Sequence, residues 1–444
     1  MLAFVLISQS ILSYKTEMKV SAALLACIFT SGIAYSQSRK FDFGPGELKK
    51  GYTQVLPETT YSKEKGYGFL PGSSLTGMAH GKDALKNDFI TSNQPFYFSV
   101  DLPEGDYDVK VILGDKEGTS EQTVRAECRR VMIYKELTRQ GEIKEKTFTV
   151  HIRRPEIPGT TEKVKLKPRE FDYFHWDDQL TLEFNGANPK VAAVEITRAK
   201  KPTRVFLAGN STVVDQANEP FAAWGQMLPA FFEPKKISVA NYAESGETLS
   251  NFLAGNRLKK ILSQMRKGDY LFIEFGHNDQ KQKGEGIGPF TSYKRDLKYF
   301  ISEARKKGGI PVIVTSIQRR NFNENGQINE TLGDYPAACR QVAREENVPL
   351  IDLNKMTKVL YEAWGPGESE KAFAHNPQVD NTHPNPFGAF EMAKCVVQGM
   401  KDIKLGLTKY IINFEGFDPA QPDLITSFYW PLSPSKSTIK PDGN

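Results

Sequence analysis

The sequence predicts two domains in series: an antiparallel β-sandwich of jelly-roll type over residues 39–200, then an α/β domain over 203–408 with a parallel sheet between helices. Three observations predict this. Short alternating strands fill the first part without a helix of useful length between them, as in sandwiches and jelly rolls. Apolar strands alternate with amphipathic helical stretches in the second part, as in sheets with helices on both faces. The chain has 444 residues, which exceeds one ordinary domain. Hydrophobic residues at 39% and charged residues at 25% describe a globular protein with an ample core. The net charge of +5 is modest and not gathered into a basic stripe, which argues against a nucleic-acid partner.

Taken in order, the chain opens on a segment that reads as an export signal over residues 1–36. Met18-Lys19 supplies the charge, Val20 to Ala34 the apolar run, and Ala34-Tyr35-Ser36 the small residues of a cleavage site, so the true start is expected at Met18. A secreted or periplasmic protein is the expectation. Cys27 lies too close to Met18 for lipidation. The run is short for a membrane span, and no later stretch is long enough to cross a bilayer, so none is expected in the mature chain.

Strands are then expected at Phe96–Asp101, Tyr107–Ile112, Thr123–Glu127, Val131–Tyr134, Thr147–Arg153, Leu180–Phe184 and Ala192–Thr197, separated by Gly, Pro, Asn or Asp. Tyr52, Tyr61, Tyr67 and Phe69 are either an aromatic platform for a sugar or ordinary packing, and packing is the commoner use. Without the signal, Cys128, Cys339 and Cys395 remain. An odd count gives no disulfide framework, and buried free thiols are expected, although Cys339 and Cys395 both lie in helical patterns and could pair. The basic linker Arg198–Thr203 closes this half.

In the second half, strands are expected at Val205–Ala208, Ile237–Asn241, Tyr270–Phe275, Pro311–Thr315 and Pro349–Leu353. Helices are expected near Ala223–Phe232, Ser250–Lys267, Ser292–Lys307, Tyr335–Glu346, Asn354–Trp364 and Ala389–Val397. Residues 409–444 form an extension; from Phe414 onward it is rich in Pro, Ser and Asp, with no clear element.

The chemistry is expected where these strands end, since open α/β sheets place ligands at their carboxyl edge. Gly209-Asn210-Ser211 follows the first strand and should lead into a helix, giving Ser211 the position of a nucleophile with amides nearby. Tyr242-Ala-Glu-Ser-Gly246 follows the second strand, and a glycine there lets the backbone approach a ligand. Gly276-His277-Asn278-Asp279 follows the third, and the Asn278 amide can meet a developing oxyanion without adding charge. The amides of Ser211 and Gly246 with the Asn278 side chain would make an oxyanion hole. Near the end, Asp380-Asn-Thr-His383 spaces an acid and an imidazole three apart. In a turn or first helical turn, Asp380 would fix the His383 tautomer whose other nitrogen accepts the Ser211 proton. Each piece has a plainer reading alone: a helix cap, an ordinary turn, a solvated histidine. Their order and placement together select the chemical reading.

These residues resemble the four blocks of the SGNH (GDSL-type) hydrolase family. The stretches Ala-Gly-Asn-Ser211-Thr-Val-Val-Asp-Gln, Asn-Tyr-Ala-Glu-Ser-Gly246-Glu-Thr, Phe-Gly-His-Asn278-Asp-Gln and Asp380-Asn-Thr-His383-Pro look like its rhamnogalacturonan acetylesterase branch, including members with an N-terminal galactose-binding-like sandwich. The resemblance implies a flavodoxin-like three-layer fold, with Ser211 as nucleophile, His383 as base, Asp380 as its partner, and Gly246 and Asn278 completing the oxyanion hole. It also implies acetylated pectic polysaccharide as substrate, with another acylated glycan such as xylan, a lipid ester or a non-catalytic sugar-binding role as alternatives. The stretch between Gln280 and Pro289 is polar and glycine-rich, without the apolar lid a lipid substrate would call for. Asn210 stands where the family has Asp; Asn is nearly isosteric, so activity should survive. His277 either contacts substrate or supports its loop. Arg319 and Arg320 follow the fourth strand, where one of them could meet a uronate carboxylate or both could lie in a solvated loop. No cofactor and no metal is expected: a zinc reading would need His277, His375 and His383, and no His-Glu-x-x-His or Cys pair supports it.

Overall fold

A computed structural model describes residues 38–81 and 83–442; the expected export signal lies outside the described residues. Strands β1 (Arg39–Phe43), β2 (Thr53–Val55), β3 (Tyr67–Phe69), β4 (Thr76–Ala79), β5 (Asp88–Thr91) and β6 (Phe96–Asp101) open the first half. They are followed by β7 (Gly105–Gly114), β8 (Ser120–Ala126), β9 (Arg130–Thr138), β10 (Ile143–Ile152), β11 (Gln179–Ala187) and β12 (Lys190–Arg198). One sheet runs β10-β7-β12-β1-β2, with β5 on β12 and β4 on β5; the other runs β3-β6-β11-β8-β9. β1 runs parallel to β2, whereas β10 with β7, β7 with β12, β12 with β5, β5 with β4, β3 with β6, β6 with β11, β11 with β8 and β8 with β9 are antiparallel. The period of two places Phe96, Phe98 and Val100 of β6, and Tyr107, Val109, Val111 and Leu113 of β7, in one core between the sheets.

Phe69 belongs to that core, Tyr67 packs on Phe41 at 5.0 Å, and the hydroxyls of Tyr52 and Tyr61 donate to Glu195 and Asp101. All four thus have partners within the sandwich.

The second half carries β13 (Thr203–Gly209), β14 (Ile237–Asn241), β15 (Tyr270–Glu274), β16 (Ile310–Val314) and β17 (Leu350–Ile351), all parallel in the order β14-β13-β15-β16-β17. The helices are α1 (Trp224–Met227), α2 (Leu249–Ala254), α3 (Arg257–Gln264), α4 (Lys294–Lys306), α5 (Tyr335–Glu345), α6 (Leu353–Ser369) and α7 (Pro386–Asp402). Val205 and Leu207 pack with residues of α1, α6 and α7, whereas Phe206 and Ala208 pack with residues of α2 to α5. A strand buried on both faces reads as an unbroken apolar run, as observed. Cys339 lies in one of these cores and Cys395 in the other, on opposite faces of the sheet, and all three described cysteines are buried and free.

Three local expectations are corrected. Past Ser211 the chain makes one turn, in which the Asn210 carbonyl accepts from the amides of Val213 and Val214, and no helix follows until α1. The helix expected over 250–267 breaks at Gly255-Asn256, where Asn256 takes a left-handed φ of 61°. Asp380 and His383 lie on β19 (Val379–Pro384), which pairs with β18 (Phe373–His375) just before α7, and not in a helical turn.

Buried ion pairs join the sandwich to the α/β domain. Arg130 donates twice to Asp215 at 3.0 and 2.6 Å, and Asn241 Nδ2 donates to the other Asp215 oxygen at 2.9 Å. Asp106 accepts from Arg204 Nε at 2.8 Å and from Ser238 Oγ at 2.9 Å. The segment after Phe414 continues this seam: Trp430 stacks under Arg125 at 3.9 Å, and Ser433 Oγ donates to Glu183. Among the described residues, no helix is long and apolar enough to cross a membrane.

Candidate active site

The site stands where the strand order reverses. β13 was laid down first, and its neighbours β14 and β15 lie on either side of it, so the loops after all three converge at one edge. Ser211 lies two residues beyond the end of β13. Its loop is held from below, with Gln216 Nε2 donating to the Ser211 carbonyl at 2.8 Å and Asn241 Nδ2 to the Val213 carbonyl at 2.8 Å. His383 Nε2 meets Ser211 Oγ at 2.8 Å, and His383 Nδ1 meets Asp380 Oδ2 at 3.0 Å. The other Asp380 oxygen accepts from the amides of Thr382 at 2.8 Å and His383 at 3.0 Å. Burial alone would raise the Asp380 carboxyl, but the imidazole and these amides hold it well below the usual carboxylate range. Asp380 is therefore ionised, which favours a proton on Nδ1 and leaves Nε2 to accept from the serine.

The oxyanion candidates Gly246 and Asn278 lie on the loops after β14 and β15, at the same edge of the sheet. Gly246 has φ of +79°, the left-handed region that favours glycine. The amides of Ser211 and Gly246 meet no hydrogen-bond acceptor among the described residues. Asn278 Nδ2 donates one hydrogen to the Glu247 carbonyl at 3.1 Å, which ties the second and third loops together and leaves its other hydrogen to donate. Asp279 accepts from the amides of Leu249 at 2.9 Å and Gly276 at 3.0 Å, and burial pushes its carboxyl up to about 7.

His277 is buried; burial, and then the Arg319 charge, push its imidazole well below the usual range, so it is neutral. Arg319 donates to Thr331 and to the His277 carbonyl, and with the Gln280 amide oxygen turned toward it, to Gln280 at 2.7 and 2.6 Å. Arg320 donates to Ser369, Asn381, Pro366 and Glu370. Both guanidinium groups thus hold loops together.

Sequence reasoning missed two acids and their partners. Glu274 closes β15 and accepts from Thr212 Oγ1 at 2.7 Å and Trp224 Nε1 at 2.5 Å. Burial pushes it up to about 7. Thr212 Oγ1 also bonds Asn210 Oδ1 at 2.9 Å, and one hydroxyl proton cannot serve two acceptors. A protonated Glu274 resolves this by donating to Thr212, which then donates to Asn210. The amide at 210 spares the site a second buried carboxyl on that hydroxyl. A charged residue ending a fully apolar strand was the available signal. The second acid is Glu244, which accepts from Arg169 Nε at 3.0 Å and Nη2 at 2.6 Å. Arg169 lies 75 residues earlier, where nothing local marks it.

Glu170, His175 and Glu244 bring one ligand atom each within 4.8 Å of one another. Arg257 bonds Glu170 and Arg169 bonds Glu244, so both carboxylates are already matched by cations; this is an ion-pair network and a poor cation site. His375 is exposed and faces the Glu370 carbonyl at 3.1 Å, while His277 and His383 are buried.

A parallel α/β domain with this relay at its switch point is that of a serine hydrolase of carboxylic esters. The family profile of the GDSL-like lipase/acylhydrolases matches residues 207–389. That of the beta-agarase/YXIM esterase-like, galactose-binding domain-like family matches residues 39–155. The chain is 44% identical over 229 residues to the rhamnogalacturonan acetylesterase RhgT of Bacillus subtilis (strain 168), covering 49% of this chain and 97% of that protein. It is 29% identical over 375 residues to the uncharacterized esterase YxiM of the same organism, covering 82% of this chain and 90% of that protein. The crystal structure of protein YxiM from Bacillus subtilis aligns with 84% of this chain and 100% of its own at 26% identity, with a TM-score of 0.46. The chain belongs to the GDSL-like lipase/acylhydrolase family.

Proposed function

We propose that this protein is an exported carbohydrate esterase that removes O-acetyl groups from pectic polysaccharide through an acetyl-enzyme. The observation that carries the reading is the relay from Ser211 Oγ to His383 Nε2 at 2.8 Å and from His383 Nδ1 to Asp380 at 3.0 Å, at the sheet edge. The likeness to a rhamnogalacturonan acetylesterase over nearly all of that protein supports the substrate.

Ser211 Oγ attacks the acetyl carbonyl carbon as His383 Nε2 takes its proton. The tetrahedral oxyanion is met by the amides of Ser211 and Gly246 and by Asn278 Nδ2. The sugar oxygen leaves with the proton from His383, and the acetyl group stays on Ser211. Water, deprotonated by His383, then attacks the ester carbon, and acetate departs as Ser211 recovers its proton. Asp380 stabilises the imidazolium in both halves.

Acetate release from acetylated pectins, xylans and acyl lipids, compared between the parent and Ser211→Ala, tests the reading. Release from pectin above the other substrates, lost in Ser211→Ala, is the expected result. Preferential release from xylan or lipid defeats the substrate reading, and equal rates in both proteins defeat the nucleophile.

A further inference from the structure

Beside the Ser211 loop lies a cleft of about 450 Å³ that no step above uses, walled by the sandwich, by the loops after β13 and β14, and by the segment that follows Phe414. Arg169, Tyr173 and Arg129 come from the first half; Gln216, Phe221 and Ser245 come from the α/β domain. Ser211 and His383 themselves are fully buried.

Residues 440–442 form the part of the cleft wall that reaches the catalytic loops. Lys440 Nζ lies 3.9 Å from Asp380 Oδ2. Asp442 packs on the bare Cα of Gly246, where an added methyl would come 2.8 Å from Asp442 Cβ. The segment thus crosses from the acid of the relay to the glycine of the oxyanion loop, and the Asp442 carboxylate accepts a bond from Arg169 Nη1.

Arg169 is built as a receptor. Its Nε and Nη2 are fixed on the buried Glu244 carboxylate, and Nη2 also donates to the Ser245 carbonyl at 2.8 Å. Only Nη1 projects toward the cleft, beside Lys167 Nζ, which Glu247 holds at 2.8 Å. An arginine pinned along one edge offers a charged, oriented donor at little conformational cost.

We propose that Arg169 receives the carboxylate of a uronate residue next to the acylated sugar, and that Asp442 holds this place in the absence of substrate. This rests on the pectic reading above and gives the sandwich half a part in substrate choice. Arg319 and Arg320, already spent on their own loops, offer no comparable arm.

The segment is anchored well before it reaches the cleft. Glu219 pairs through its backbone with Ser435 and Ser437, and Ser435 Oγ donates to Asn218 at 2.6 Å. A chain ending at Ser437 therefore keeps its anchors and loses the stretch that bears Lys440 and Asp442.

Calorimetric titration with digalacturonate, with its dimethyl ester as the uncharged control, tests the proposal without requiring turnover. In the chain ending at Ser437, and in Asp442→Asn, digalacturonate should bind about tenfold tighter than in the full chain, because the competing carboxylate is gone. Arg169→Gln should weaken it roughly ten- to a hundredfold in the shortened chain. Equal affinity for acid and ester, or an unchanged Kd on both Asp442→Asn and truncation, overturns the proposal, even if Arg169→Gln does not fold. Because digalacturonate carries no acetyl group, failure to deacetylate pectin would defeat the substrate reading while leaving a measured carboxylate site standing.

Discussion

Replacing Asp380 by Asn probes the relay more sharply than deleting it, because the structure fixes what the amide would meet. The Asp380 oxygen that takes the backbone amides of Thr382 and His383 at 2.8 and 3.0 Å can remain an oxygen in Asp380→Asn, so the strand stays in place. The other oxygen, 3.0 Å from His383 Nδ1, becomes an NH2 group. Two donors cannot face each other, so the imidazole shifts its proton to Nε2. That nitrogen then points a hydrogen at Ser211 Oγ and no longer accepts one. The same change in a serine protease triad lowers kcat about 10⁴-fold, roughly 5.4 kcal/mol of transition-state stabilisation. We expect a loss of that order in kcat on an aryl acetate at pH 8, with KM within threefold. Stability gives a second reading. The folded Asp380 carboxyl titrates below its unfolded value of about 3.9, so its contribution is present above that pH and is lost as pH falls through the folded value. Asp380→Asn should lack this part of the acid destabilisation. A folded variant that keeps its rate within tenfold of the parent would refute the assignment of tautomer and base.

Asn278→Ala removes one oxyanion donor and should lower kcat by roughly 10²–10³ with little change in KM, measured by initial rates on an aryl acetate. Glu274→Gln mimics the protonated acid: its amide can donate to Thr212 while its oxygen accepts from Trp224. The raised folded pKa of Glu274, about 7, means that its stabilisation is full below the unfolded value and is lost as pH rises through 7. Thermal unfolding should therefore find parent and Glu274→Gln alike at pH 4 and the variant more stable at pH 8; a parent more stable at pH 8 contradicts the neutral acid. Arg130→Met leaves Asp215 buried with Asn241 as its remaining side-chain partner and should cost about 3–5 kcal/mol in urea unfolding. The double variant with Asp215→Asn should recover much of that loss, and strict additivity would argue against the pair.

Much of this was legible in the chain because it is local. Period-two alternation in Phe96–Asp101 and Tyr107–Ile112 specifies strands with one buried face. The unbroken run Val205–Ala208 specifies a strand buried on both, and the small residues after it mark the turn that carries Ser211. Asp380 and His383 could be paired on paper since they lie three positions apart, although the element holding them is a strand. Helix ends were less legible, as at Asn256, where a left-handed residue divides a continuous amphipathic pattern.

The sequence alone determined the order of the elements, the residues competent for acyl transfer and the loops that present them, because periodicity and turn chemistry act between near neighbours. Only the tertiary structure decided that Ser211 meets His383 172 residues later, that Arg169 is pinned by Glu244, and that Asp442 reaches the cleft. Such meetings depend on how buried charges find partners when the sheets pack. Each buried carboxylate must be matched by whichever cation the fold brings within reach, and separation along the chain does not say which one that will be.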